Sequence, residues 1–166
     1  MKIFIFIPII MILFCCSCQR KSEAEQLTSL EGIKWKLAGI FDTKTGALKV
    51  LEPKDCDECY TLTFEPDSFF NKNEWFNGKV EVKTGWYKIS KGYSSSNILA
   101  CWYNVDYITN SFQIYNIGGT EVNELFDGRL YRETLLSVQS FLLKNELILY
   151  FDDKSKYLLF KQPINN

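Results

Sequence analysis

Cys56 and Cys59, two cysteines separated by two residues, form the motif with the most defined chemistry in this chain. Such a pair can be a redox centre, half of a zinc site or a short structural disulfide. Asp55, Asp57 and Glu58 surround it with negative charge, which should raise the thiol pKa and so disfavours redox catalysis. Zinc is disfavoured because the chain has no histidine and, after residue 18, no second such pair. We therefore predict a structural disulfide, with free thiols as the alternative.

Other residue types exclude several classes of enzyme. Without histidine the chain cannot form a Ser-His-Asp triad, a Cys-His dyad or an HExxH zinc site. It also has no glycine-rich phosphate loop and no EF-hand calcium loop. Cys101 stands between Ala100 and Trp102, which favours a buried free thiol. We predict a non-enzymatic protein that needs no cofactor and no metal.

Three aromatic residues stand in polar surroundings: Trp75 and Phe76 in a loop-like segment, and Tyr93 among serines. Exposed aromatic side chains give a large contact area at low entropic cost, so proteins use them to recognise sugars, peptides and other proteins. We interpret these three as possible contacts to a protein or glycan ligand, with packing in the core as the alternative. The net charge of -1 gives no long-range attraction, and we expect no nucleic-acid partner.

The N-terminus carries a targeting signal. Its apolar run, residues 3–14, matches the core of a secretory signal and is shorter than the roughly 20 apolar residues of a membrane-spanning helix. The segment that follows, residues 13–19, resembles the lipobox of bacterial lipoproteins, in which a small residue precedes an acylated cysteine. Because Ser17 precedes Cys18, the resemblance implies lipidation of Cys18, with Cys16 as the alternative. Two or three acyl chains, palmitate among them, would anchor the protein stably to a membrane.

These signals divide the chain into three parts. Residues 1–17 are the predicted signal peptide, and residues 18–32 are the lipidated cysteine and a polar, flexible tether. Residues 33–162 form a single domain, as the length of the chain predicts. We expect a lipid-anchored protein of the cell envelope, in the outer membrane, on either its periplasmic face or the cell surface.

Apolar and polar residues alternate along most of the domain, which predicts eight or nine short strands. The clearest of them are residues 33–41, 60–65, 98–108, 112–117, 146–152 and 157–161. Over residues 130–142 the period changes to helical spacing, which predicts one late amphipathic helix that begins near Asp127 or Gly128. The predicted fold class is therefore α+β: a mostly antiparallel sheet with one helix packed on it.

The domain also resembles a known family over residues 33–161. Gly118-Gly119-Thr120, the predicted helix and the final hairpin resemble the META domain, which includes HslJ-like envelope lipoproteins. The chain departs from the family pattern at residues 121–124, where small residues are usual. The resemblance implies a compact sheet-rich domain with one helix, no established catalytic residue and a link to envelope stress. The whole chain also resembles small envelope lipoproteins of Bacteroidetes.

We therefore expect an envelope lipoprotein that binds a ligand or helps to maintain the envelope. One alternative is an inhibitor of an incoming hydrolase, such as a lysozyme or a protease, by analogy of fold alone. A second alternative, from another class, is a thiol-disulfide oxidoreductase that uses Cys56 and Cys59.

Overall fold

The computed structural model describes residues 28–71, 86–120 and 122–163. These residues contain nine strands and one α-helix, and a 3-10 turn at Asp152–Lys154 precedes the last strand. The elements are β1 (Lys34–Asp42), β2 (Ala47–Lys49), β3 (Thr61–Asn71), β4 (Trp86–Tyr93), β5 (Ile98–Asp106), β6 (Ser111–Gly119), α1 (Gly128–Leu136), β7 (Ser140–Leu143), β8 (Leu147–Phe151) and β9 (Lys156–Lys161). The prediction of a mostly antiparallel sheet with about nine strands and a single late helix is confirmed.

The sheet closes on itself instead of remaining open. Strands β3 to β9 follow one another as antiparallel neighbours, and β1 pairs with both β3 and β9. Eight strands thus form a barrel, and β2 is an extra ninth strand that pairs with residues 40–42 of β1. Closure through β1 and β9 reduces the exposed strand edges that an open sheet would present.

Large aromatic side chains fill the barrel. Trp35, Phe64, Tyr103, Phe112 and Phe160 alternate inward along their strands and are almost completely buried. The ring of Phe64 packs edge-to-face against the rings of Tyr103 and Phe112, with centroids 4.9 and 5.7 Å apart. The interior is therefore a packed core, and the barrel offers its outer surface for binding.

Cys101 belongs to this core. Its side chain is fully buried and not disulfide-bonded, as the sequence predicts. Burial disfavours the thiolate and raises the pKa of the Cys101 thiol to about 12. The thiol is consequently unreactive at neutral pH.

The helix is shorter than its periodicity predicts. The prediction for residues 130–142 is wrong beyond Leu136, where α1 ends, because residues 140–143 form β7 and pair with β8. The helical spacing of apolar residues extends past the helix because it includes Val138. This residue is buried, although it lies in the connection after the helix. Pairing with β8 and alternation along the strand determine the local structure there, and Phe141 takes an inward position.

The helix lies where β6 and β7 part from each other. These two strands share a single residue pair, Ser111 with Ser140. Beyond that pair, the guanidinium of Arg132 on α1 donates a hydrogen bond to the carbonyl of Ile117 on β6, at 3.4 Å. Tyr131 of α1 is fully buried and belongs to the barrel core. The helix thus packs against the gap in the wall and not on the face of an open sheet.

The barrel has two distinct ends. At the entry end, where the described chain begins, the N–H of Leu30 donates to the hydroxyl of Tyr107 in the β5–β6 turn, residues 107–110. The loop end, at the other end of β6, holds residues 51–60, 94–97 and 122–127. The nine residues of β6 separate the two ends by about 27 Å, at roughly 3.3 Å per residue.

Candidate functional site

The predicted site residues fall in different parts of the chain. Cys18, the predicted lipidation site, and the aromatic pair Trp75 and Phe76 lie outside the described residues. Tyr93 is the last residue of β4 and is 42% exposed, so its role as a ligand contact stays a prediction. In the described ranges no helix is long and apolar enough to span a membrane. No cluster of three or more His, Cys, Asp or Glu side chains there could hold a metal ion.

Cys56 and Cys59 are disulfide-bonded in the loop between β2 and β3, as predicted. Cys59 is 5% exposed, and its N–H donates to the Sγ of Cys56 at 3.1 Å. The ammonium group of Lys36 on β1 donates to the carbonyls of both cysteines at 2.5 Å. Burial lowers the pKa of Lys36 and outweighs the opposite effect of Asp57 and Glu58. The disulfide loop, residues 51–60, is thus fastened to the barrel wall by a strand lysine.

Glu124 is the centre of a second cluster at the loop end. Its carboxylate accepts hydrogen bonds from the hydroxyls of Ser94 and Ser96, at 2.8 and 3.2 Å, and the Oγ of Ser95 also lies 3.2 Å away. The side chain is only 9% exposed. Burial alone would raise the pKa of the Glu124 carboxyl, but the hydrogen bonds from residues 94–97 outweigh burial and lower it. A charged Glu124 therefore ties the β4–β5 turn to the segment after β6.

The backbone on both sides of Glu124 is bonded to the same turn. The side chain of Asn97 donates to the carbonyl of Val122 and accepts from its N–H, at 2.8 and 2.9 Å. Ser96 accepts from the N–H of Leu125 at 3.2 Å, and Ser95 donates to the Leu125 carbonyl at 2.5 Å. We call this segment, residues 122–127, the display loop.

Asp127 fastens the other end of the display loop. Its carboxylate accepts the N–H of Glu52 and the ammonium of Lys49, both at 3.0 Å. The Glu52 N–H contributes most to a lowered pKa of the Asp127 carboxyl, and Lys49 adds to it. Asp127 precedes the first helical residue, Gly128, as predicted, but its side chain makes no capping bond to the helix. The carboxylate instead joins the display loop to the disulfide loop.

The apolar side chains of the display loop point into solvent. Val122, Leu125 and Phe126 are 59, 56 and 70% exposed, whereas Glu124 between them is nearly buried. Phe126 has φ +49, a left-handed conformation that costs a bulky residue on the order of 1–3 kcal/mol. This arrangement reverses the usual preference for apolar residues inside and charged residues outside. A rigid loop that presents apolar side chains is pre-organised for binding, and we take it as the candidate site.

Sequence reasoning did not single out Leu125 and Phe126. The signal that could have found them is an adjacent apolar pair between the polar residues Asn123 and Glu124 and the helix start at Asp127. A pair in that position has no alternating or helical pattern that would give it a buried partner.

Comparison with known proteins gives one relative in sequence. No protein-family model matches the chain. Over 163 residues the chain is 28% identical to a protein of Tannerella forsythia named "Putative lipoprotein", and the match covers 96% of this chain and 95% of the other. The chain is thus similar over nearly its whole length to a lipoprotein-like protein of a Bacteroidetes bacterium.

Two solved structures are similar in fold. A protein from Burkholderia xenovorans, determined by NMR, gives a TM-score of 0.54 at 16% identity and covers 82% of this chain and 85% of its own. A DUF4847 family protein from Bacteroides vulgatus gives 0.55 at 11% identity, with 82 and 96% covered. At these identities the likeness concerns the fold alone. None of these comparisons supports the resemblance to the META domain.

Proposed function

We propose that this protein is a lipid-anchored envelope lipoprotein that works by binding a partner, not by catalysis. The observation that carries the proposal is the match with the T. forsythia protein across 96% of the chain. The lipobox-like segment around Cys18 supports it from the chain's own residues. The outer membrane is the proposed location, on its periplasmic face or at the surface. Envelope maintenance, which the META resemblance implied, has no support from the comparisons and is left out of the proposal.

The segment before Thr28 limits how far the barrel can stand from the membrane. Nine residues lie between Cys18 and Thr28, and the ten steps from one to the other can span at most about 35 Å. An acylated Cys18 would keep the entry end of the barrel within that distance of the bilayer. The display loop lies about 27 Å from the entry end along β6, at the end of the barrel opposite the described chain start.

Two features support binding over catalysis. The barrel interior is occupied by aromatic side chains, so no substrate cavity lies among them. The disulfide is not at the N-terminus of a described helix, where the helix dipole would activate a thiol. This second observation weakens the oxidoreductase alternative. A hydrolase inhibitor remains the second candidate, and the rigid display loop favours it because inhibitors bind in a conformation fixed in advance.

Metabolic labelling tests the anchor. The full chain is produced in a bacterium that acylates lipoproteins, and alkyne-tagged palmitate is supplied. We expect label and membrane sedimentation in the wild type, loss of both in Cys18→Ala, and no change in the matched control Cys16→Ala. Label that persists in Cys18→Ala but disappears in Cys16→Ala would move the anchor to Cys16, and an unlabelled wild type would refute the lipoprotein proposal.

A further inference from the structure

We infer that the display loop is the centre of a docking surface for a second protein, whose contact face is apolar with basic residues around it. The inference deepens the binding role proposed above and rests on it. Three features of the loop end carry it: an exposed apolar centre, a fixed backbone and an acidic margin.

The apolar centre extends beyond the display loop itself. Val50, which is 44% exposed, lies in the chain between Lys49 and Glu52. Both neighbours bond to the carboxylate of Asp127, so the segment that carries Val50 is held against the display loop. Val50, Leu125 and Phe126 are thus exposed apolar side chains on two segments that Asp127 holds together, and such side chains exclude water when a partner covers them.

A recess adjoins this centre on the helix side. It has a volume of about 520 Å³ and lies between the display loop and α1, where Val122, Glu124, Arg132 and Leu136 line it. Leu136 is 48% exposed, and the Arg132 guanidinium pairs with Glu124 at 3.4 Å. The recess gives a side chain of the partner a place to enter beside the exposed Leu136.

The backbone of the loop is fixed before any partner arrives. Its carbonyls, N–H groups and carboxylates bond to residues 94–97 and to the segment at Glu52. Binding to a fixed loop loses less conformational entropy than binding to a mobile one. The strained conformation of Phe126 has no benefit for the isolated barrel that the structure shows, and strain of this kind concentrates at functional sites.

The margin toward the disulfide loop is acidic. Ser95 joins the two loops, because its carbonyl oxygen lies 3.6 Å from the Sγ of Cys59 and its hydroxyl donates a hydrogen bond to the display loop. In the disulfide loop the carboxylates of Glu52 and Glu58 have lysine partners. Asp55 and Asp57 are exposed and form no ion pair within the described part of the chain. On the helix side, the exposed Arg129 and Glu133 balance each other in charge.

Charge and position together select the occupant. Asp55 and Asp57 are two exposed acids in the disulfide loop, which is joined to the display loop, and they are complementary to a basic margin on a protein face. They also oppose contact with anionic lipid, and the loop end is the end of the barrel opposite the described chain start. A second protein with basic residues therefore fits this surface better than a bilayer.

Site-specific photo-crosslinking tests the inference in cells that make the full acylated chain. Benzoylphenylalanine replaces Phe126 in one strain and Ile108, exposed at the entry end, in a matched control strain. We expect a crosslink from position 126, and none from position 108, to one protein whose crosslinked segment contains lysine or arginine. The purified partner should bind Phe126→Ser at least about tenfold more weakly than the wild-type protein, and Ile108→Ser with unchanged affinity.

Charge is tested with the same purified pair. The double variant Asp55→Asn with Asp57→Asn should slow association several-fold at low salt, and the difference should vanish at high salt. The inference is overturned by a crosslink to lipid or to a second copy of the chain, by the absence of a crosslink at 126, or by unchanged affinity in Phe126→Ser. Acylation of Cys18 is read in the same cells, so failure of the docking surface is distinguishable from failure of the lipoprotein proposal.

Discussion

The β5–β6 turn at the entry end and the display loop at the loop end have the same two unusual features. Each exposes a large apolar side chain, Ile108 at 92% and Phe126 at 70%. Each also contains a non-glycine residue in the left-handed region, Asn110 with φ +55 and Phe126 with φ +49. Exposure and dihedral angle alone would not distinguish the two segments.

The turn and the display loop differ in how far along the chain the hydrogen-bond partners of their carboxylates lie. In the turn, the Asp106 carboxylate accepts from the N–H groups of Ile108 and Thr109, which are two and three residues away. In the display loop, the serine partners of Glu124 lie 28 to 30 residues away. Asn tolerates the left-handed region, whereas Phe does not. The Asp106 carboxylate thus stabilises its own turn, whereas the carboxylate of Glu124 holds the display loop to a distant part of the fold.

Removal of the central carboxylate should show this difference most strongly. Glu124→Ala removes the acceptor of the Ser94 and Ser96 hydroxyls and of the Arg132 guanidinium, so we expect a loss of about 2–3 kcal/mol in the free energy of unfolding. Asp106→Ala, the matched change in the turn, removes bonds in an exposed segment where water replaces them, and should cost much less. Urea unfolding of the three proteins measures both losses. Equal losses would mean that the display loop is no better integrated than a hairpin turn.

Loss of the disulfide should affect the two ends unequally. The double variant Cys56→Ser with Cys59→Ser should lower stability by about 2 kcal/mol, the entropic effect of a very short closed loop. Because the Sγ of Cys59 contacts the Ser95 carbonyl, the loosened segment adjoins the display loop. Hydrogen exchange should therefore accelerate at the N–H of Leu125 and stay unchanged at the N–H of Ile108. Faster exchange at both amides would indicate a global effect.

Acid should weaken the attachment of the display loop. The pKa of the Glu124 carboxyl is lowered in the folded protein, so its contribution to stability is complete above its ordinary value of 4.5 and is lost as the pH falls below it. Hydrogen bonds from the Thr109 hydroxyl also lower the pKa of Asp106, so the turn contributes with the same sign. Urea midpoints between pH 3 and 7 should fall less steeply in Glu124→Gln than in the wild type. Identical slopes would show that Glu124 does not titrate with folding.

Local patterns in the sequence predict the parts of this fold that local physics determines. Alternation gives β1 from Trp35 and Leu37 and gives the closing hairpin of β8 and β9, because one face of each strand is buried. Closure into a barrel depends on the pairing of β1 with β9, which are far apart in the chain, and no local pattern reports it. The end of α1 was missed for the same reason: pairing of β7 with β8 overrode a helical period.

The candidate site was harder to predict than the fold. The sequence predicts the disulfide of Cys56 and Cys59, because only two residues separate the two cysteines. The display loop depends on the contact between Glu124 and the serines of the β4–β5 turn. No local pattern in either segment predicts that the two segments are in contact. Leu125 and Phe126 can be recognised as candidate binding residues only after that contact is known, because the contact fixes the loop that exposes them.

The smallest expected effect concerns the strain in the display loop, and its sign is the informative part. Phe126→Gly relieves a left-handed conformation at a side chain that is mostly in solvent, so we expect it to stabilise the protein by up to about 1 kcal/mol. Asn110→Gly in the turn should change stability by less than about 0.5 kcal/mol, because Asn already tolerates φ near +55. Thermal and urea unfolding of both variants measure the difference. If Phe126→Gly makes the protein more stable and also abolishes binding of the partner, Phe126 serves binding, because folding alone would favour its loss. Destabilisation by Phe126→Gly would instead show that the exposed ring packs on the barrel and serves the fold.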